Sequence, residues 1–178
     1  MKAIAPLLAV SALLASCAAP PKPVPQPQPP VISQPRPVPT PAPLPLPPAD
    51  WRDAPQTPGT WTWGMTGGRS TASFGPAGAT PLVMLVCDRT AGQVLLYRAG
   101  AAPTAVPLAV ATTSQRRPLL SDPARAPAGY LVVVLPARDA LLDAMAFSRG
   151  RFALEAAGLE TLYLPSWPEI SRVVQDCR

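Results

Sequence analysis

The chain of 178 residues contains no histidine, which removes the side chain most often used for acid–base chemistry near neutral pH. Catalysis by Ser-His-Asp or Cys-His groups in their usual form is therefore excluded, and zinc loses its commonest nitrogen ligand. Lysine is nearly as scarce, because Lys2 and Lys22 are the only two in the chain. Beyond residue 22, Ser-Lys catalysis and Schiff-base chemistry are excluded as well.

Charged residues make up only 14% of the chain, and the formal net charge of +5 is unevenly distributed. Three of the cations, Lys2, Lys22 and Arg36, precede residue 50. Residues 50–178 contain 12 arginines and all 10 acidic residues, which leaves a net charge of +2. A strongly basic surface is therefore not expected, and we predict no nucleic-acid partner.

The amino terminus has the pattern of an export signal. Lys2 supplies a positive charge, residues 3–14 form an apolar run, and small residues follow. A membrane-spanning helix needs about 20 apolar residues, so this run is too short to span a bilayer.

The segment Leu14-Ala15-Ser16-Cys17 resembles the lipobox of bacterial lipoprotein precursors. This resemblance implies that residues 1–16 are a signal peptide, and that Cys17 becomes the mature first residue with diacylglycerol on its sulfur and usually a further acyl chain such as palmitate. We therefore expect a membrane partner through the lipid on Cys17 and a location in the cell envelope. Ala18 is not aspartate, which by resemblance to enterobacterial lipoproteins implies the outer membrane, facing the periplasm. An ordinary secretory signal with a chance cysteine is the alternative.

Residues 17–49 are interpreted as the lipidated cysteine followed by a proline-rich linker. Fifteen of the 28 prolines lie between residues 20 and 48, often at every second position, so neither a helix nor a sheet ladder can form there. A polyproline II helix of this length would reach roughly 100 Å. We predict a spacer between the membrane and the following domain; Pro-x-x-Pro sites for a partner domain are the alternative.

Two cysteines remain once Cys17 is assigned to the lipid. An even number is typical of exported chains, so we predict a structural disulfide between Cys87 and Cys177. A reactive thiol pair is the alternative, although neither cysteine is in a Cys-x-x-Cys motif.

Residues 50–178 are predicted to form a single globular domain rich in β-structure. Short apolar or alternating segments lie at 60–64, 69–74, 81–87, 93–98, 106–113, 130–135, 151–156 and 160–164. We expect a mainly β fold, a small antiparallel sandwich or open barrel of about seven strands, because strands and helices do not alternate. Segment 81–87 is continuously apolar, so both of its faces should be covered. An α+β fold is the alternative, and residues 114–129 are predicted to be a polar loop.

Two short helices complete the predicted domain. The first covers residues 139–147, where Asp139 is placed to cap the helix. The second follows Ser166-Trp167-Pro168-Glu169, which has the form of a capping box. Its predicted buried stripe has the spacing i, i+3, i+4 and i+7, and consists of Ile170, Val173, Val174 and Cys177.

The predicted layout after Tyr130 is a strand, a helical insertion, a hairpin that ends in Leu162-Tyr163-Leu164-Pro165, and a terminal helix. This layout covers roughly a third of the chain and is similar to that of the invasion-associated locus B family of periplasmic proteins. The resemblance implies a β-sandwich and carries over no catalytic residue. The cysteines of this chain do not follow the internal pairs of that family.

Two groups of side chains are candidate binding residues. Arg149 and Arg151 flank a glycine beside Ser148, and two guanidinium groups with a hydroxyl suit a carboxylate or a phosphate. The alternative is a helix end whose arginines bind its last carbonyls. Trp61 and Trp63 lie on one face of a predicted strand, where they could stack on a sugar, dock a partner or fill the core.

We therefore expect a lipid-anchored, non-enzymatic binding or structural module of the envelope, whose partner is an envelope protein or a cell-wall glycan. We predict no catalytic residue, no cofactor and no metal. The alternative is an envelope hydrolase that uses carboxylates. Asp139 and Asp143 are four residues apart, which on a helix places them about 6 Å from each other, within the range of paired acids in sugar-bond cleavage.

Overall fold

The computed structural model describes residues 50–178, which form two antiparallel β-sheets and two short α-helices. The predicted signal peptide, Cys17 and the proline-rich linker lie outside the described residues. The strands are β1 (Thr60–Thr66), β2 (Arg69–Gly75), β3 (Val83–Asp88), β4 (Gln93–Ala99), β5 (Pro107–Ala111), β6 (Arg116–Leu120), β7 (Tyr130–Pro136), β8 (Arg151–Ala156) and β9 (Leu162–Pro165). The helices are α1 (Ala140–Ala146) and α2 (Pro168–Asp176). The predicted mainly β sandwich is therefore confirmed, with nine strands in place of about seven.

The first sheet has the strand order β1-β2-β3-β4-β7, and its first four strands follow one another along the chain. Strand β3 is apolar from Val83 to Cys87, as expected for a strand that is covered on both faces. Val83 and Leu85 contribute to the main core between the sheets, whereas Val86 belongs to a second apolar cluster with Leu95 and Val132. The prediction that both faces of this segment are covered is confirmed.

The second sheet has the order β6-β5-β8-β9. Its β8 and β9 form the predicted hairpin, in which Phe152 is opposite Leu164 and Leu154 is opposite Leu162. The outer edge of β9 is covered by the segment that leads into β1, since the Thr57 backbone N–H donates to the Tyr163 carbonyl at 3.0 Å. This contact connects the beginning of the described chain to the second sheet.

The prediction of a loop at residues 114–129 is wrong for its first part, because Arg116–Leu120 forms β6. This strand pairs only with β5, so one of its edges is free of strand partners among the described residues. An edge strand tolerates proline, and Pro118 lies opposite Ala109 in the register. Pairing with β5 decides the conformation here, and a local reading of a polar, proline-containing segment could not detect it.

Helix α1 begins as predicted, since the Asp139 side chain accepts a hydrogen bond from the Leu141 N–H at 2.8 Å. The capping box predicted for α2 is wrong. Its N-cap residue is Trp167, which makes no side-chain capping bond, because Pro168 occupies the first helical position and Ser166 therefore lies one residue too early. The Ser166 hydroxyl is buried without a hydrogen-bond partner in the described part of the chain.

The predicted apolar stripe of α2 is confirmed, because Ile170, Val173 and Val174 are all buried in the main core. The helix lies against β1, β2 and β3 of the first sheet and also contacts α1. At its end, Cys177 lies at disulfide distance from Cys87 of β3, with 5.4 Å between their Cα atoms. Within residues 50–178, no helix is long and apolar enough to cross a membrane.

The cysteine pair leads to a first prediction. The protein should migrate faster on a non-reducing gel than on a reducing one, and both thiols of residues 87 and 177 should be alkylated only after reduction. Replacing both cysteines by serine should lower the free energy of unfolding by up to about 4–5 kcal/mol, because the crosslink closes a loop with a sequence separation of 90. Alkylation of two thiols in unreduced, denatured protein would contradict the disulfide.

Candidate functional site

A cleft of about 400 Å³ lies between α2, the β1–β2 hairpin and the turn that follows β3. One face of β1 leads from the core into this cleft. Trp61 is 4% exposed, Trp63 is half-buried at the cleft wall, and Met65 is 62% exposed. The same alternation that places Trp61 in the core therefore presents Trp63 and Met65 to a potential ligand.

A chain of hydrogen bonds fixes one wall of the cleft. The Trp63 indole N–H donates to the Ser70 hydroxyl oxygen at 2.9 Å, and the Ser70 hydroxyl donates to Asp176 Oδ2 at 2.6 Å. Ser70 itself is buried, and it lies opposite Met65 in the β1–β2 register. The chain of bonds is partly buried and each of its members has a partner, which favours one orientation of the indole.

The guanidinium group of Arg172 lies over the face of the Trp63 ring. Its guanidinium carbon lies 3.6 Å from the centre of the Trp63 ring, which is a close cation–π distance. Arg172 and Asp176 are four residues apart on α2 and therefore share one face of the helix. The helix thus supplies both the cation that stacks on Trp63 and the carboxylate that orients it through Ser70.

Arg89, in the turn between β3 and β4, closes the end of the helix. Its Nε donates to the Asp176 backbone carbonyl at 2.9 Å, and its Nη2 binds the same oxygen. The carbonyls at a helix carboxyl terminus lack partners within the helix, so a guanidinium group there is favourable. The cleft also contains Arg69 and Asp88, so three cations face two carboxylates in all.

The predicted binding residues Arg149 and Arg151 do not lie in one site. Arg151 donates from Nη1 to the carbonyl of Ala54, whereas Arg149 is exposed and lines a separate open depression with Arg52. The buried Ser148 hydroxyl donates to the Arg151 carbonyl at 2.6 Å. Arg151 and Ser148 therefore hold the chain in place around α1, and Arg149 alone remains accessible.

The four tryptophans also lie in different surroundings. Trp61 packs against Phe74 at 5.3 Å between ring centres, and its indole N–H donates to the Pro165 carbonyl at 2.8 Å, so it is a core residue. Trp51 is paired with the neighbouring guanidinium of Arg52, and Trp167 is exposed at the start of α2. Trp63 is the one that lines the cleft.

The carboxylates suggested for hydrolysis are both engaged in ion pairs. The two Arg117 guanidinium nitrogens bind Asp139, with Nη2 at 2.6 Å from Oδ2, and this bond holds the pKa of Asp139 below its ordinary value. Asp143 pairs with Arg178 at 2.9 Å. A general acid needs a raised pKa, so the direction at Asp139 is the opposite of what the hydrolase alternative requires. Within residues 50–178, no group of three acidic or cysteine side chains is placed to hold a metal.

Sequence reasoning missed Ser70, Arg172 and Asp176. The two helix residues carried a usable signal, because they have helical spacing on the polar side of the predicted stripe. Ser70 had no such signal in the sequence. Its bonds to Trp63 and Asp176 depend on the β1–β2 register and on where α2 crosses that hairpin.

No protein-family model matches this chain, and it has no match among the curated proteins or the solved structures. The resemblances to lipoprotein precursors and to the invasion-associated locus B family therefore rest on the quoted residues and remain predictions.

The Asp139–Arg117 pair leads to a second prediction. Asp139→Asn keeps a side chain that can cap α1 but loses the ion pair, so the free energy of unfolding at pH 7 should fall by about 1–2 kcal/mol. Because the pKa of Asp139 is lowered on folding, this contribution is present above the ordinary value of 3.8 and is lost as the pH falls through the folded value.

Urea unfolding of both proteins at pH 7 and pH 3 measures this effect, and the difference between them should shrink at pH 3. The matched control is Asp143→Asn, whose exposed ion pair should contribute less than about 0.5 kcal/mol. An equal effect of the two substitutions would show that the Asp139 pair has no special role.

Proposed function

We propose that this protein is a lipid-anchored envelope module that binds a partner through the Trp63 cleft and catalyses no reaction. The observation that carries the proposal is the arrangement at the cleft, where an oriented indole, a stacked guanidinium and an exposed methionine meet. Aromatic, arginine and methionine side chains are typical of protein binding surfaces. The partner is an envelope protein or a cell-wall glycan.

The contacts around the cleft favour binding over catalysis. Asp176 Oδ2 accepts the Ser70 hydroxyl, and Asp88 Oδ1 accepts the Ala91 backbone N–H at 3.0 Å. Both carboxylates are thus used to position neighbouring groups. Together with the lowered pKa of Asp139, these contacts argue against a hydrolase based on Asp88, Asp139 or Asp176.

The stacked arginine also bears on the kind of partner. A sugar bound by a tryptophan usually lies on a ring face, and Arg172 occupies one face of Trp63. An envelope protein is therefore the partner that we favour over a glycan.

The lipobox and the linker supply the location in this proposal. A lipid on Cys17 would attach the chain to the outer membrane, and residues 17–49 would act as a spacer of up to roughly 100 Å. A domain tethered in this way meets a partner in a nearby layer at a high effective concentration, so a modest affinity of the cleft is sufficient.

Lipid attachment is tested by labelling growing cells with an alkyne analogue of palmitate. The wild-type chain should incorporate the label and fractionate with membranes, and Cys17→Ser should do neither. Ser16→Ala is the matched control, because a small residue is kept at the processing site. Equal labelling of the Cys17→Ser chain would contradict the assignment of the lipid.

Partner binding is tested with a photo-crosslinking amino acid placed at Met65 in intact cells. Discrete crosslinked products should form from this position and should be identifiable by mass spectrometry. Leu120 on β6 is the matched control, since it is 61% exposed and lies on the other sheet. The same products from both positions, or none from Met65, would overturn the cleft as the binding surface.

A further inference from the structure

Arg172 has a guanidinium group whose hydrogen-bonding edge has no partner. Among residues 50–178, its side chain makes no ion pair and no hydrogen bond, and its guanidinium group stacks on Trp63. All 10 acidic residues of the chain lie in this same part, so no carboxylate elsewhere in the sequence can pair with it. Arg69, at the beginning of β2, likewise has no carboxylate partner within these residues.

The stacking fixes the direction in which Arg172 can donate. A guanidinium carbon 3.6 Å from the ring centre places the planar group against the indole, so its N–H groups lie along the rim of that plane. The indole is itself held through Ser70 and Asp176. A planar fork of donors with restricted orientation is suited to a carboxylate, which accepts two parallel hydrogen bonds.

The charges around the cleft favour an anion. Arg69, Arg89 and Arg172 face Asp88 and Asp176, and Asp88 Oδ2 also lies 4.0 Å from Arg125 outside the cleft, so positive charges outnumber negative ones. A carboxylate is compatible with this excess, and its two oxygens match the two parallel donors of a guanidinium group. The exposed Met65 lies on the same face of β1 as Trp63 and offers apolar contact beside the cation.

We propose that the cleft binds a carboxylate group of a peptide, with Arg172 as the bidentate donor, Arg69 as a second cation and Met65 against a neighbouring apolar side chain. This inference deepens the proposed function by naming the chemical class that the same site accepts. It makes Arg172 a binding residue and Ser70 and Asp176 positioning residues.

The inference is tested by titrating the full chain with N-acetylated leucyl-alanine while the indole N–H signals are followed by two-dimensional NMR. The Trp63 signal, assigned with Trp63→Phe, should shift and saturate. The C-terminal amide of the same dipeptide should bind at least about tenfold more weakly, because only the carboxylate is missing. Equal binding of acid and amide would overturn the proposal.

Arg172→Gln should weaken binding of the acid by at least about tenfold, and Arg172→Lys should restore only part of the affinity, because a lysine cannot donate in a bidentate manner. Arg149→Gln, which removes an exposed arginine outside the cleft, is the matched control and should bind like the wild type. Backbone amide spectra of each variant show whether its fold is intact. Unchanged affinity in a folded Arg172→Gln protein would overturn the assignment of the donor.

Two further ligands identify the source of the carboxylate. If an acetylated glutamate amide binds as tightly as the dipeptide, the proposal is supported and the site accepts acidic side chains. If it binds more weakly, the site accepts the carboxylate of a chain terminus. Tighter binding of inorganic phosphate than of either peptide would overturn the proposed carboxylate site. A dipeptide that binds in vitro while Met65 yields no crosslink in cells would overturn the proposed cellular partner and leave the carboxylate site standing.

Discussion

The docking of α2 against the inner face of β1, β2 and β3 is the contact on which the rest of the structure depends. The apolar stripe of the helix completes the core beneath the first sheet, and Cys177 lies at disulfide distance from Cys87 at the end of that stripe. The opposite side of the same helix supplies Arg172 and Asp176 to the cleft. One helix therefore joins the hydrophobic core to the candidate site, and its register against the sheet fixes the distance between Arg172 and Trp63.

The sequence predicts the parts of this fold that depend on local periodicity. The β8–β9 hairpin follows from alternating apolar residues around a glycine turn, and the buried stripe of α2 follows from helical spacing. Strand β6 could not be predicted in this way, since Pro118 is compatible with an edge strand only when a partner such as β5 is present. The start of α2 differs from the predicted capping box, because the proline after Trp167 sets the first helical position and displaces Ser166 from the cap.

The candidate site was predictable only in part, for a related reason. Trp63 is visible in the sequence as an aromatic residue on a strand face, but whether it is a core or a surface residue depends on how far α2 extends along β1. Trp61, two residues earlier, has the same residue type and the same face, yet it is buried against Phe74. Arg149 and Arg151, by contrast, are close in sequence but do not share a ligand site. Arg151 donates a hydrogen bond to the Ala54 carbonyl, on a segment nearly a hundred residues away.

The attachment of the first residues to the second sheet has a mechanical consequence. A pull on the chain at residue 50 is met first by the Arg151–Ala54 hydrogen bond and by the Thr57–Tyr163 contact, which both belong to the β8–β9 hairpin. Tension is therefore carried into one layer of the sandwich, while Arg172, Ser70 and Asp176 lie on the other layer and its helix. Ala54 and Thr57 both precede β1, so these two contacts are placed to take up load before it reaches the strand that carries Trp63.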